Sequence, residues 1–181
     1  MHTNPQKANL AYYIYTYGCQ MNEHDSEVLA GMLEGLGYLP AENPSEADLI
    51  LINTCAVRQK PEEKVAALLG KLRPLKRENP DLIIAVGGCM SQQKEVSADL
   101  ARRFGFVDII FGTHVLPYFP RLLEQARERR RPLIDISENG KRPPGLPIRR
   151  ASRFKAWLPV IYGCNNFCSF CIVPYVRGRE R

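Results

Sequence analysis

The sequence has no apolar run long enough to cross a bilayer. Its longest, such as Leu49 to Ile52, fall far short of the roughly 18 residues that a span requires, so no membrane partner is expected. It has no signal peptide either, since Met1 to Lys7 is polar and carries no hydrophobic stretch. Both absences point to a cytoplasmic protein. Histidine is scarce: His2, His24 and His114 are the three present, and they show no ligand spacing, which argues against a histidine-built metal site. No repeat of fixed period is visible.

What is present is an ordinary globular composition, 45% apolar and 24% charged, close to the usual averages. A length of 181 residues allows one domain with a real core and part of a second. The charge is uneven. Residues 1–120 hold 11 Lys and Arg against 14 Asp and Glu, whereas residues 121–181 hold 14 against 5. A basic half suits a polyanion such as RNA; a solvated helix face and linker account for it equally well.

Hydrophobic periodicity alternates along residues 8–131. Tyr12 to Tyr17 reads as a strand ending at Gly18, and His24 to Leu36 as a helix closed by Gly35 and Gly37. Asp48 to Asn53 is a nearly continuous apolar run, as in a buried parallel strand. Pro61, Glu62 and Glu63 start a second helix that ends either before Pro74 or at Asn79-Pro80. Leu82 to Val86 is a third strand and Val107 to Phe111 a fourth. Between them runs a helix capped by Ser91 and reaching about Phe104, and a last helix spans about Val115 to Arg130. Four strand–helix units argue an α/β fold, a flavodoxin- or Rossmann-like domain with a mostly parallel sheet. Residues 132–155 are rich in Pro and Arg and read as a linker with an edge strand at Leu133 to Ile136. Ala156 to Tyr162 reads as the opening strand of a second domain, 156–181.

The cytosol is reducing, so the six cysteines are read as metal-binding or chemical rather than as disulfides. Cys19, Cys55 and Cys89 follow the first, second and third strands, separated by 36 and 34 residues, about one strand–helix–strand unit each. In a parallel sheet all such turns share the carboxyl edge, where ligands bind. Three buried, inert thiols are the bland alternative. A structural zinc site usually takes four protein ligands; three thiolates suit an iron–sulfur cluster with one iron left open.

The second set is more specific. Gly163-Cys164-Asn165-Asn166-Phe167-Cys168-Ser169-Phe170-Cys171 places three cysteines in one eight-residue loop. Its spacing is neither that of a paired C-x2-C zinc ribbon nor that of the four-Cys ferredoxin runs. Three ligands to a four-iron cluster again leave one iron for a small molecule.

This C-x3-C-x2-C loop after a strand resembles the defining motif of the radical S-adenosylmethionine (SAM) superfamily. Thr16 to Asn22, Asn53 to Arg58, Gly87 to Met90 and Tyr162 to Glu180 together resemble the methylthiotransferase family within it. Gln20-Met21-Asn22 favours the branch that acts on isopentenylated adenosine in bacterial tRNA. The resemblance implies two [4Fe-4S] clusters. The cluster on Cys164, Cys168 and Cys171 would bind SAM and cleave it reductively, and the resulting radical would take hydrogen from carbon 2 of the adenine. The cluster on Cys19, Cys55 and Cys89 would carry the sulfur, and a second SAM would methylate it. The partners implied are the tRNA anticodon stem-loop and a reductant such as flavodoxin or ferredoxin. The family continues into the rest of a partial (β/α) barrel and an RNA-binding domain. Neither lies in these 181 residues, so the chain alone is expected not to complete catalysis.

The smaller features have local readings. Asn22 and Asn53 are expected to cap helices rather than to donate to sulfur, and Asp25 to be first-turn helix charge. Half of Tyr12, Tyr13, Tyr15 and Tyr17 should pack and half face solvent. Arg129-Arg130-Arg131 and Arg149-Arg150 either touch phosphate or solvate a linker. Arg177 and Arg179 either hold SAM or RNA or brace the cluster loop. Three other functions compete with this reading: an iron–sulfur RNA-binding or sensor module without catalysis, a methylthiotransferase acting on another tRNA adenosine or a ribosomal protein, and a flavodoxin-like electron carrier. The last leaves two cysteine triads unexplained.

Overall fold

The computed structural model describes residues 10–56, 61–128, 132–138, 143 and 145–181. Arg129-Arg130-Arg131, Val57 and Arg58, His2, and the first two residues of the expected 8–131 domain lie outside the described residues.

Six strands form one sheet: β1 (Ala11–Thr16), β2 (Leu39–Pro40), β3 (Leu49–Thr54), β4 (Ile83–Gly88), β5 (Ile109–Phe111) and β6 (Leu133–Asp135). The order is β2-β1-β3-β4-β5-β6, and every pairing is parallel. The four expected strands are all present, the expected edge strand is β6, and two-residue β2 was not foreseen. The helices are α1 (Gln20–Gly35), α2 (Pro61–Glu78), α3 (Lys94–Arg103), α4 (Phe119–Glu128) and the short α5 (Val173–Arg177).

The continuous apolar strands are explained by burial on both faces. Along β3, Leu49 and Leu51 pack on one side with α1 and α4, while Ile50 and Ile52 pack on the other with α2 and α3. All four are fully buried, each contributing on the order of 1.5–3 kcal/mol of transfer free energy. Tyr12 lies in the first of these cores, and Tyr13, Tyr15 and Tyr17 lie half-buried over the second. The expected division into packed and solvent-facing tyrosines is therefore only partly realised, because both faces of β1 are covered.

Two element boundaries were decided by context. Helix α2 runs through Pro74 to Glu78. A helical proline deprives the carbonyl four residues earlier of its donor and crowds it; here that residue is Gly70, exposed along with Pro74, so water can satisfy the carbonyl. Ser91 does not cap α3, whose N-cap is Gln93. Ser91 is instead buried, its hydroxyl donating to the Phe111 and Gly88 carbonyls.

No strand forms over Ala156 to Tyr162. A strand needs a ladder partner, and only Tyr162 finds one, exchanging both backbone hydrogen bonds with Arg181 (2.9 Å each). Leu158 and Val160 consequently stand open to solvent, as does Phe154 just before them. The stretch before it is not a free linker. Arg149 donates its amide to the Glu27 carbonyl at 2.9 Å, Ala151 donates its amide to the Glu27 carboxylate, and Trp157 donates its indole N–H to Glu23 at 2.6 Å. Residues 147–157 thus strap the outer face of α1. No helix of the described residues is long and apolar enough to cross a membrane.

Candidate functional site

The direction of the chain reverses between β1 and β3: the first crossover runs outward to β2, and the next strand lies on the other side of β1. In such sheets ligands bind at the carboxyl ends beside this switch point. The register there is tight. Thr16 pairs with Asn53, and Asn53 with Gly87. Cys19, Cys55 and Cys89 therefore leave three neighbouring strand ends at nearly the same level. Cys19 is the N-cap residue of α1, so the positive end of a 16-residue helix faces this edge, which favours a negatively charged group.

Beneath the cysteines lies a buried polar floor. Asn53 donates to the Asn22 carbonyl (2.8 Å) and to Ser26 Oγ (2.9 Å). Asn22 donates to Asn53 Oδ1 (3.1 Å) and to the Thr54 carbonyl (2.9 Å), and accepts from the Cys19 thiol at 3.4 Å. Thr16 and Ser26 share a 2.7 Å hydrogen bond, and Thr54 donates to the Gly87 carbonyl. The two asparagines were expected to cap helices; they instead join α1 to β3 side by side. Both are fully buried, where an unpaired amide is costly. Gly88, at φ 105°, allows β4 to approach so closely that a Cβ there would lie 2.3 Å from the Thr54 carbonyl oxygen.

Cys55 and Cys89 are buried, Cys19 less so. Burial pushes the Cys89 thiol up to about 11, opposed by Arg177 and reinforced by Asp25 and neighbouring Cys55. Arg177 is the residue whose setting the sequence least disclosed. It closes α5, six residues beyond Cys171, yet its Nε–H donates to Cys89 Sγ at 3.0 Å and its Nη1–H to the Asp25 carboxylate. Asp25 is fully buried and lies beyond the first turn of α1, so it is a buried ion-pair partner and not the first-turn helix charge expected of it. Burial lowers the affinity of Arg177 for its proton, but Asp25 and Cys89 more than restore it and the guanidinium stays charged. Its Nη2 is buried with no hydrogen-bond partner among the described residues.

The second triad has a different character. Cys168 is exposed, and Cys164 and Cys171 are half-buried. The loop is closed locally: the Cys171 amide donates to the Cys168 carbonyl (2.9 Å) and the Cys164 amide to the Gly178 carbonyl (3.1 Å). Gly163, at φ 75°, lets the chain pass so close to residues 178–179 that a Cβ would meet the Arg179 carbonyl oxygen at 2.2 Å. Phe167 lies edge-on to Tyr175 (ring centres 5.8 Å apart), with the Arg179 guanidinium 5.0 Å over its ring. Arg179 thus braces the loop, whereas Arg177 reaches the first triad. Arg149 and Arg150, candidates for phosphate contact, are paired with Glu34 (2.8 Å) and Glu27 (3.1 Å).

Among the described residues, no three His, Cys, Asp or Glu side chains stand close enough to hold one metal ion. A four-iron cluster takes each thiolate on a different iron, so its ligands stand wider apart than those around a single ion. The first triad fits such a group. It offers three thiols on adjacent strand ends, the positive end of a helix and a buried cation with an unused donor, all suited to an anion.

A family model described as "Uncharacterized protein family UPF0004" matches residues 11–112, which carry strands β1 to β5 and the first three cysteines. The chain belongs to this family. It is also 51% identical over 175 residues to the tRNA-2-methylthio-N(6)-dimethylallyladenosine synthase of Carboxydothermus hydrogenoformans, covering 96% of this chain and 40% of that protein. To the synthase of the same name from Caldicellulosiruptor saccharolyticus it is 54% identical over 174 residues, 96% of this chain and 37% of the relative. To that of Geobacillus kaustophilus it is 48% identical over 171 residues, 94% and 32%. The chain thus spans about two fifths or less of the length of these curated relatives.

Proposed function

We propose that the chain is part of a radical SAM methylthiotransferase acting on carbon 2 of isopentenyladenosine beside the tRNA anticodon. The observation that carries this reading is the convergence of Cys19, Cys55 and Cys89 on one sheet edge, upstream of an independent C-x3-C-x2-C loop. The names of relatives about half identical over nearly the whole chain support it. In this reading residues 8–131 form the methylthiotransferase domain, 132–155 the connection, and 156–181 the start of the SAM-cleaving barrel. The bare apolar side chains of Phe154, Leu158, Val160 and Phe170 suit a segment that packs against further structure.

Cys19, Cys55 and Cys89 would hold one [4Fe-4S] cluster, and Cys164, Cys168 and Cys171 a second that binds SAM at its open iron. Bound there, the clusters supply one-electron reduction and a site for sulfur. The chain's own residues hold the cysteines at the sheet edge, fix their spacing through Asn22 and Asn53, and present the backbone of α1 and the Arg177 cation to negative charge. The tRNA anticodon stem-loop and a small electron carrier are the partners, and the cytoplasm the compartment.

The test is to purify the chain anaerobically, reconstitute it, and count iron and sulfide. About eight irons per chain, falling to about four in Cys19→Ala or in Cys168→Ala, fits two thiolate-held clusters. Four irons that are all lost with Cys168→Ala would remove the first cluster from the account. Stoichiometric zinc without iron would overturn it. Methylthiolation of isopentenyladenosine-containing tRNA by the whole protein, assayed by mass spectrometry of nucleosides, tests the substrate.

A further inference from the structure

Arg177 belongs to one cysteine segment by sequence and to the other by contact. It follows Cys171 by six residues, yet its side chain lies beneath Cys89, between a sulfur and a carboxylate. A guanidinium presents its five N–H donors in a fixed planar fork. Here Nε is turned to Cys89 Sγ and Nη1 to Asp25, while Nη2 is fully buried with no acceptor among the described residues. Such an unmade hydrogen bond is costly, and more so for a charged group. A neutral thiol is only a weak acceptor, so on the side facing the cysteines neither Nε nor Nη2 meets a strong acceptor. The docking is otherwise complete: the Thr113 hydroxyl donates to the Val176 carbonyl, and the His114 ring lies against Gly178. Bracing α5 would need only the Asp25 pair and these contacts.

We propose that Arg177 is a positioning residue for the anionic group held by Cys19, Cys55 and Cys89, its Nε–H and unpartnered Nη2–H donating to sulfur there while Asp25 holds the guanidinium in place. The inference rests on the proposed reading that these cysteines bind an iron–sulfur cluster. Hydrogen bonds to the sulfurs and net charge are among the factors that set a cluster's reduction potential. A fixed cation at the sulfurs favours the reduced, more negative state. Because the cation is carried by the segment of the second triad, the potential at the first site depends on whether that segment is docked.

The experiment uses the chain with Cys164, Cys168 and Cys171 all replaced by Ala, so that only the first triad takes iron. Iron content and midpoint potential, the latter by redox titration monitored by electron paramagnetic resonance, are compared for this parent, Arg177→Lys, and the neutral pair Asp25→Asn with Arg177→Gln. The expected result is retained iron with a midpoint shifted to more negative potential, both in Arg177→Lys, which keeps the charge but loses donors to sulfur, and in the neutral pair, where loss of the cation in contact with Cys89 outweighs loss of the Asp25 charge behind it. Retained iron with unchanged midpoints would overturn the proposal. Should the variants not fold, the parent labelled with 15N-arginine decides: pulsed resonance on the reduced cluster is expected to show coupling to a guanidinium nitrogen, and its absence overturns the proposal. A parent that takes up no iron, beside a Cys19→Ala chain that does, would show that the cluster reading of the first triad itself has failed, and the proposal with it.

Discussion

The two cysteine triads are built in opposite ways. Cys164, Cys168 and Cys171 are gathered by sequence proximity, in a loop closed by its own backbone and largely exposed. Cys19, Cys55 and Cys89 lie 70 residues apart end to end and are gathered only by the register of three parallel strands and by hydrogen bonds between Asn22 and Asn53. A loop triad can adjust around whatever it binds, at a cost in ordering entropy. A sheet-edge triad is preorganised by burial and answers to changes throughout the domain. Arg177 is where the two meet.

The largest effect should come from separating them. Arg177→Met leaves Asp25 charged and buried without its cation, and breaking such a pair costs about 3–5 kcal/mol. Urea denaturation of the iron-free chain measures it, and the neutral pair Asp25→Asn with Arg177→Gln should recover most of the loss. A small effect, below about 1 kcal/mol, would mean that α5 is not docked in solution and the triads are independent. Next comes access. In the iron-free chain, alkylation of Cys168 should outpace that of Cys55 and Cys89 by more than about a hundredfold, since the buried thiols react only through opening of the domain. Peptide mass spectrometry after timed iodoacetamide gives the ratio, and equal rates would erase the contrast.

Asn53→Ala should cost about 1–3 kcal/mol, because it strands the groups that Asn53 bonds in the buried floor. Exposed Ser169→Ala in the other triad should stay within about 0.5 kcal/mol. The smallest effect lies at the far end of the sheet. Tyr12 is pushed up to about 12 by burial and by its hydrogen bond to Glu34. Its neutral form is the one the fold favours, so this contribution is fully present below pH 10.0 and lost as pH rises through about 12. Unfolding profiles across that window should fall more steeply in the parent than in Tyr12→Phe, with no difference in cysteine reactivity.

Much of this was legible beforehand. Leu49 to Ile52 and Leu82 to Val86 are continuous apolar runs, which a strand buried on both faces requires, and cysteines after successive strands were traceable to one sheet edge. The strand expected over Ala156 to Tyr162 was not formed because periodicity reports the pattern of a strand but not the presence of its neighbour. Ser91 carried a capping residue's chemistry, but the Phe111 carbonyl claimed it. The pairing of Asp25 with Arg177 is hidden from the sequence for the same reason: a charge near a helix start, or after a loop, shows its partner only when something 152 residues away is seen against it. The pair has no local signature.

By itself the sequence determined the four main strands and the helices that follow them, the parallel class of the sheet, and the loop triad, because hydrophobic period and short cysteine spacing act over a few residues. Only the tertiary structure decided which strands are neighbours, and therefore that the first three cysteines leave adjacent strands in register. It also decided that Asn22 and Asn53 form a floor instead of caps, that Arg149 and Arg150 are engaged by Glu34 and Glu27, and that Arg177 lies under Cys89. Each of these depends on burial and on partners distant in the chain, and the free energy of a polar side chain is set by what replaces its water when the chain folds.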